Sequence, residues 1–173
     1  METNSTQTTN KTTKISIIKI ALLSLFLLGF TYSYSQSNSC NATLKVEKDR
    51  NIQSSSSTAG SYYVMILTNN SSFSENFSLN TFNVNSTCSN NDGTNTSSNV
   101  NLETSFFDIN QQPISQIIIS SGQSVNFLVK VSVPIGTDFD KWCCTQIIAE
   151  SSNCPNYKVT TVVHTQVINP NEG

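Results

Sequence analysis

Few residues in this chain can do covalent or acid–base chemistry. There are five cysteines, Cys40, Cys88, Cys143, Cys144 and Cys154, and one histidine, His164. Asp138 and Asp140 form a D-x-D in GTDFDKW, and the single tryptophan, Trp142, adjoins the Cys143-Cys144 pair. A Ser–His–acid or Cys–His mechanism would have to use His164. Its context, VVHTQ, places it on a strand opposite Val163, where a surface or structural histidine is the better reading. A zinc site with two or three histidines is impossible with one histidine, and disulfide-bonded cysteines are not ligands. Calcium needs six or more oxygens, and the D-x-D lacks the dense ligand spacing of an EF-hand loop, so a solvated loop is expected. No cofactor is expected. Trp142 is either a sugar-stacking or partner-binding anchor, as exposed aromatics can be, or a cap on the core at a strand start.

Location sets the meaning of the cysteines. Lys11, Lys14 and Lys19 lead into an apolar run from Ile20 to Phe30, followed by the polar stretch Thr31–Gln36. That is the layout of a secretory signal peptide, and the run is too short for a membrane-spanning helix of about 20 residues. Residues 1–35 therefore read as a signal peptide and 36–173 as one domain that folds outside the cytoplasm, secreted, periplasmic or at the cell surface, with no stable membrane span after cleavage. In an oxidising compartment disulfides are the default, and five cysteines leave one unpaired. The net charge of −2 becomes more negative once Glu2 and the three early lysines are removed. A nucleic-acid partner, which needs a basic patch, is not expected.

The elements that must position these residues are strands. Short alternating segments separated by turn-rich clusters mark a sandwich or barrel. They are Asn41–Asp49, Ser61–Asn69, Glu75–Asn85, Asn99–Asn110, Ile114–Ser120, Ser124–Val133, Trp142–Ser151 and Asn156–Ile168. The clearest is Ser124–Val133, in which Val125, Phe127, Val129, Val131 and Val133 share one face and Pro134 ends the ladder. Gln53–Gly60 and Ser86–Ser98 read as polar connections, the latter turning at Asn91-Asp92-Gly93. Tyr62, Phe73, Phe77, Phe82, Phe106 and Phe107 are mostly core by alternation. The expected fold is all-β, an antiparallel two-sheet sandwich of about seven or eight strands.

The segments YYVMILTNNSS (Tyr62–Ser72), ENFSL (Glu75–Leu79), ISSGQSVNFLVKVSVPIGT (Ile119–Thr137), TQIIAESS (Thr145–Ser152) and VTTVVHTQV (Val159–Val167) resemble bacterial immunoglobulin-like and fibronectin type III-like secreted modules. The likeness extends to small single-domain secreted proteins of marine Bacteroidetes. It implies an Ig-like sandwich and leaves the activity open, since many functions share that architecture. The cysteines and the KWCC segment depart from the generic module.

If successive strands alternate in direction, Cys40, Cys143 and Cys144 lie at one end of the sandwich and Cys88 and Cys154 at the other. Cys144 and Cys154, joined by an extended strand, are too far apart to bond. The expected pairs are Cys88–Cys154 and Cys40 with Cys143 or Cys144. Thr145, Ile147 and Ala149 form an apolar face, so Cys143 points inward and Cys144 outward. Function follows as an expectation: a non-enzymatic, disulfide-stabilised module that binds a protein or carbohydrate at the cell surface. A subunit or accessory module of an adhesin or surface assembly is one alternative. A small secreted hydrolase is the other, and it would need His164 beside a hydroxyl and an acid in one cleft, or a convergent carboxylate pair.

Overall fold

A computed structural model describes residues 39–171. The expected signal peptide, residues 1–35, lies outside the described residues. Among the described residues, nine strands form two sheets: β1 (Ala42–Val46), β2 (Ile52–Ser55), β3 (Ser61–Asn69), β4 (Glu75–Asn83), β5 (Glu103–Phe107), β6 (Gln116–Ile119), β7 (Ser124–Ser132), β8 (Lys141–Ser151) and β9 (Lys158–Val167). One sheet has the order β1-β3-β7-β5 and the other β2-β9-β8-β4-β6. This is the Ig-like β-sandwich expected from the alternation. No helix among the described residues is long and apolar enough to cross a membrane.

Period-two patterning builds the core. Phe127, Val129 and Val131 of β7 are fully buried, and Val133 extends the same face. Tyr63, Met65 and Leu67 of β3 lie beside them, and Phe77, Ile147, Ala149 and Val163 face them from the second sheet. On β3 it is Tyr63 that is buried, at 0% exposure, while Tyr62 is 40% exposed. Phe82 is 58% exposed, because it lies on the outward side of β4, where alternation after Phe77 and Leu79 puts even-numbered residues. The Tyr63 hydroxyl crosses the sandwich. It donates to the His164 backbone oxygen at 2.7 Å and lies 2.9 Å from Thr165 Oγ1. A phenol has one proton, so the Thr165 hydroxyl is the donor of the second bond. Burial pushes the Tyr63 pKa up to about 12.

β2 overlaps the segment Gln53–Gly60, which reads in sequence as a polar connection. It pairs parallel with β9, Ile52 against His164 and Ser55 against Val167. β1 pairs antiparallel with β3 in the other sheet. Between them a kinked 3-10 turn, with Lys48 and Asp49 at φ 55° and 54°, transfers the chain from one sheet to the other. The return to β3 turns at Gly60, φ 72°, where a Cβ would meet the Val131 carbonyl oxygen at 2.9 Å. Only glycine fits there.

The disulfides differ from the expected pairing. Cys40 bonds Cys154 and Cys88 bonds Cys144, with Cα–Cα distances of 6.1 and 6.4 Å. Cys88–Cys154 does not form, and Cys40 pairs with neither Cys143 nor Cys144. The reason is topological. β5 pairs antiparallel with β7, and β6 antiparallel with β4. Because β3 and β4 are joined by a short reversal, β5 and β6 run the same way in different sheets. Strict alternation therefore fails once in mid-chain. Every later cysteine exchanges ends relative to Cys40 and Cys88.

Candidate functional site

Cys143 and Cys144 sit side by side on β8 and point to opposite faces, as a strand requires. Cys143 faces the core, and its thiol donates to Asn83 Oδ1 at 3.2 Å. It is the free cysteine among the described residues. Burial pushes its thiol pKa up, which makes it a poor nucleophile. Cys144 faces outward, yet it is as buried as Cys143. Its cover is the segment from Val84 to Leu102, which folds back over the outer face of the five-stranded sheet.

Asparagines do most of the fastening. Asn85 Oδ1 accepts the Cys144 backbone N–H at 2.8 Å, and Asn85 Nδ2 donates to the Val100 oxygen at 2.9 Å. The Val100 N–H donates to the Trp142 oxygen at 2.9 Å. Asn90 and Asn99 exchange amide hydrogen bonds, both 2.8 Å. The turn at Asn91-Asp92-Gly93 forms as expected, with the Gly93 N–H donating to the Asn90 oxygen at 3.1 Å. The Cys88–Cys144 bond pins the segment covalently.

Trp142 lies under this cover, 6% exposed, and its indole N–H donates to Asp92 Oδ2 at 2.9 Å. With both faces enclosed, the indole offers no open surface for sugar stacking and acts as an anchor for the loop. Hydrogen bonds from the Thr94 backbone and from Trp142 hold the Asp92 carboxyl below its ordinary pKa. Asp138 and Asp140 are both exposed in the loop before β8.

His164 is outward on β9, half-buried, with Nδ1 3.5 Å from Cys144 Sγ. Its backbone is fixed from two sides: its N–H donates to the Asn51 oxygen at 2.7 Å, and its carbonyl accepts the Tyr63 hydroxyl. Desolvation lowers its pKa, so the ring is neutral near pH 7. Two open hollows meet at this ring. One, of about 390 Å³, is lined by Val84, Thr87, Cys88, Gln146 and Val162. The other, of about 330 Å³, is lined by Asn51, Ile52, Asn90 and Asn91. Ser89 and His164 belong to both. The result is one groove between the pinned loop and the β9–β2 edge.

The groove holds hydroxyls and a neutral imidazole, with no Asp, Glu, Lys or Arg among its lining residues. The acid of a triad is absent from that lining. Its polar groups are amides and hydroxyls, which donate and accept with equal ease. The sequence signals the histidine but not its setting, because nothing in STCSNNDGTNTSS announces a segment that returns to cover a sheet face. A group of three ligand-type side chains lies elsewhere: Cys40, Glu75 and Cys154, within 4.8 Å of one another. The two sulfurs there are bonded to each other.

No family model and no curated protein matches the sequence. Solved structures that resemble the fold include a family 123 glycoside hydrolase from Clostridium perfringens, at 10% identity and a TM-score of 0.49, over 76% of this chain. The chain spans 28% of that enzyme's length. A FixG-related protein from Vibrio parahaemolyticus matches over 74% of this chain and 95% of its own, at 9% identity and a TM-score of 0.45. The periplasmic chaperone SfaE matches over 75% of this chain and 58% of its own, at 8% identity and a TM-score of 0.41.

Proposed function

We propose that the chain is a non-enzymatic, disulfide-stapled binding module of an extracytoplasmic compartment. The His164 groove takes an uncharged polar surface, either a glycan or a protein loop. The observation that carries this reading is the groove's lining of neutral amides and hydroxyls around a neutral imidazole. Such a lining suits sugar hydroxyls or peptide groups and supplies no acid–base pair. The signal-peptide layout and the two disulfides support the compartment. A glycan array, together with capture from envelope extract, tests the reading when wild type is run beside Ser89→Tyr, which fills the groove. A ligand bound by wild type and lost by the variant supports it. A ligand bound equally by both removes the groove from the account, and turnover of any bound glycan refutes the non-enzymatic part.

A second reading, a subunit of a surface assembly, is favoured by one observation. β6 is an edge strand, and its Ile118 is 74% exposed. An apolar edge permits strand addition. In that case partner capture survives Ser89→Tyr and is lost in Ile118→Lys.

A further inference from the structure

The two sulfurs of Cys88–Cys144 belong to residues that differ in access to solvent. Cys144 is 0% exposed, between the buried Cys143 and Thr145. Cys88 is half-buried between the exposed Thr87 and Ser89, and it lines the larger hollow of the His164 groove. The bond thus turns one residue to the groove and keeps the other inside. His164 reaches both sides. Its ring lines both hollows, and its Nδ1 lies 3.5 Å from Cys144 Sγ. A disulfide sulfur carries no proton, so the donor in that contact is Nδ1–H, which leaves Nε2 as the acceptor of the neutral ring. Asn99 Nδ2 lies 3.8 Å from Cys88 Sγ and 4.0 Å from Cys144 Sγ. Cys88 is followed by Ser89, Asn90 and Asn91, which line the groove with it. A group attached to Cys88 would stand in the groove.

We propose that Cys88 is an S-thiolation site, at which a low-molecular-weight thiol from the surroundings exchanges into the Cys88–Cys144 bond with His164 as proton relay, and that the adduct occupies the groove. His164 Nε2 takes the proton of the incoming thiol. The thiolate so formed attacks Cys88 Sγ and makes a mixed disulfide there. The Cys88–Cys144 bond breaks, and its electron pair goes to Cys144 Sγ. His164 Nδ1 gives that sulfur its proton, and the ring ends neutral. One thiol is consumed and one thiol, Cys144, is formed, so the step is an exchange with no net oxidation. In reverse, Cys144 gives its proton to His164 and attacks Cys88 Sγ, and the small thiol leaves. The effect on ligand binding rests on the groove being the binding surface proposed above; the exchange itself needs no ligand. The groups that face the ring are Asn51 and Ile52 on the β2 side, Cys144 and Gln146 of β8, and Ser89–Asn91 of the loop. None of them titrates near neutral pH while the bond is closed. Tyr63 bonds the His164 backbone oxygen and keeps its proton to about pH 12.

The test uses the folded, oxidised protein without ligand. It is exposed to excess glutathione, quenched with acid, alkylated and mapped by peptide mass. The expected product carries glutathione on Cys88 and the alkyl group on Cys144. A sample with no adduct on Cys88, or with the adduct on Cys144, overturns the proposal. His164→Asn keeps a side-chain N–H donor and removes the base. Exchange at Cys88 is then expected to slow by about tenfold or more at pH 7, the lower range of acid–base assistance, with the rate at Cys40–Cys154 unchanged. Only a few per cent of a free thiol is ionised at pH 7, and most of it is above its ordinary pKa of about 8.5. The two rates should therefore converge as pH rises through that value. An equal rate at pH 7, or a deficit that stays constant with pH, removes His164 as the relay. If His164→Asn does not fold, the position of the adduct in wild type decides alone. Loss of ligand binding is read separately, so a groove that binds nothing leaves the mapped adduct intact as a result.

Discussion

Tyr63→Phe isolates the one side chain seen to hydrogen-bond from the four-stranded sheet to the β9 backbone beneath His164. The ring stays, so packing is kept, and only the hydroxyl is lost. Thr165 is 0% exposed, and water has no ready route to replace the phenol. The loss is a hydrogen bond plus a buried partner left incomplete, about 1.5–3 kcal/mol near neutral pH. For a domain of this size that lowers the melting temperature by roughly 4–10 °C. Urea unfolding with disulfides intact reads the change as a shift in midpoint at constant m. The same phenol gives a second, independent signal. Its folded pKa is raised to about 12 from the ordinary tyrosine value of 10.0. A raised value means the folded state holds the proton more tightly. The contribution is complete below pH 10 and is lost as pH rises toward 12. By pH 11 wild type gives up about 1.4 kcal/mol through this group, and Tyr63→Phe gives up none of it. The two stability curves therefore converge above pH 10. A neutral-pH loss below about 0.5 kcal/mol, or curves that stay parallel from pH 9 to 11, would show that the hydroxyl does not bridge the sheets.

Trp142 is the only tryptophan, so its fluorescence reports on the covering loop. Asp92→Asn weakens the acceptor for the indole N–H and is expected to shift the emission toward that of exposed tryptophan. In wild type the Asp92 pKa is depressed, so its hold is present above the ordinary carboxylate pKa and is lost as pH falls through the lower folded value. The emission shift should follow that acid window and be absent in Asp92→Asn; a pH-independent spectrum in wild type refutes the contact. The buried Cys143 thiol should resist a disulfide colour reagent in the native protein and react once denaturant is added, releasing one equivalent. Stoichiometric reaction under native conditions would place it outside the core.

The legible parts of the sequence were those where one periodicity dominates. β7 reads directly because valine and phenylalanine recur at every second position through Val133. The segment Ile52–Ser55 carries one apolar residue in four, and its strand character comes from β9, which supplies the pairing. Local sequence cannot show a partner more than 100 positions away. Tyr62 and Tyr63 are chemically identical and adjacent, so choosing the buried one depends on the register of β3 against β7, not on residue type. The facing of Cys143 and Cys144 followed correctly from strand alternation. Their partners did not, because one unreversed step between β5 and β6 exchanges the ends of everything downstream. The groove was least visible. It depends on a loop of small polar residues whose fold is a network of amide bonds, and no single asparagine in that run signals its partner.

The Cys40–Cys154 bond also fixes how the domain bears tension. A pull applied across the ends of the described residues enters at Ser39 and passes from Cys40 to Cys154 through sulfur, bypassing a sequence separation of 114 residues. It then leaves along β9, which is gripped on both sides, by β8 over Lys141–Glu150 and by β2 over Ile52–Ser55. Eight of the nine strands carry no load while the bond is closed. Cutting that one link sends the load through β1 to β4 and back along β8, with β5, β6 and β7 still bypassed by the Cys88–Cys144 bond, so a thiol that opened the first bond alone would turn a short, stiff tether into a longer, more compliant one.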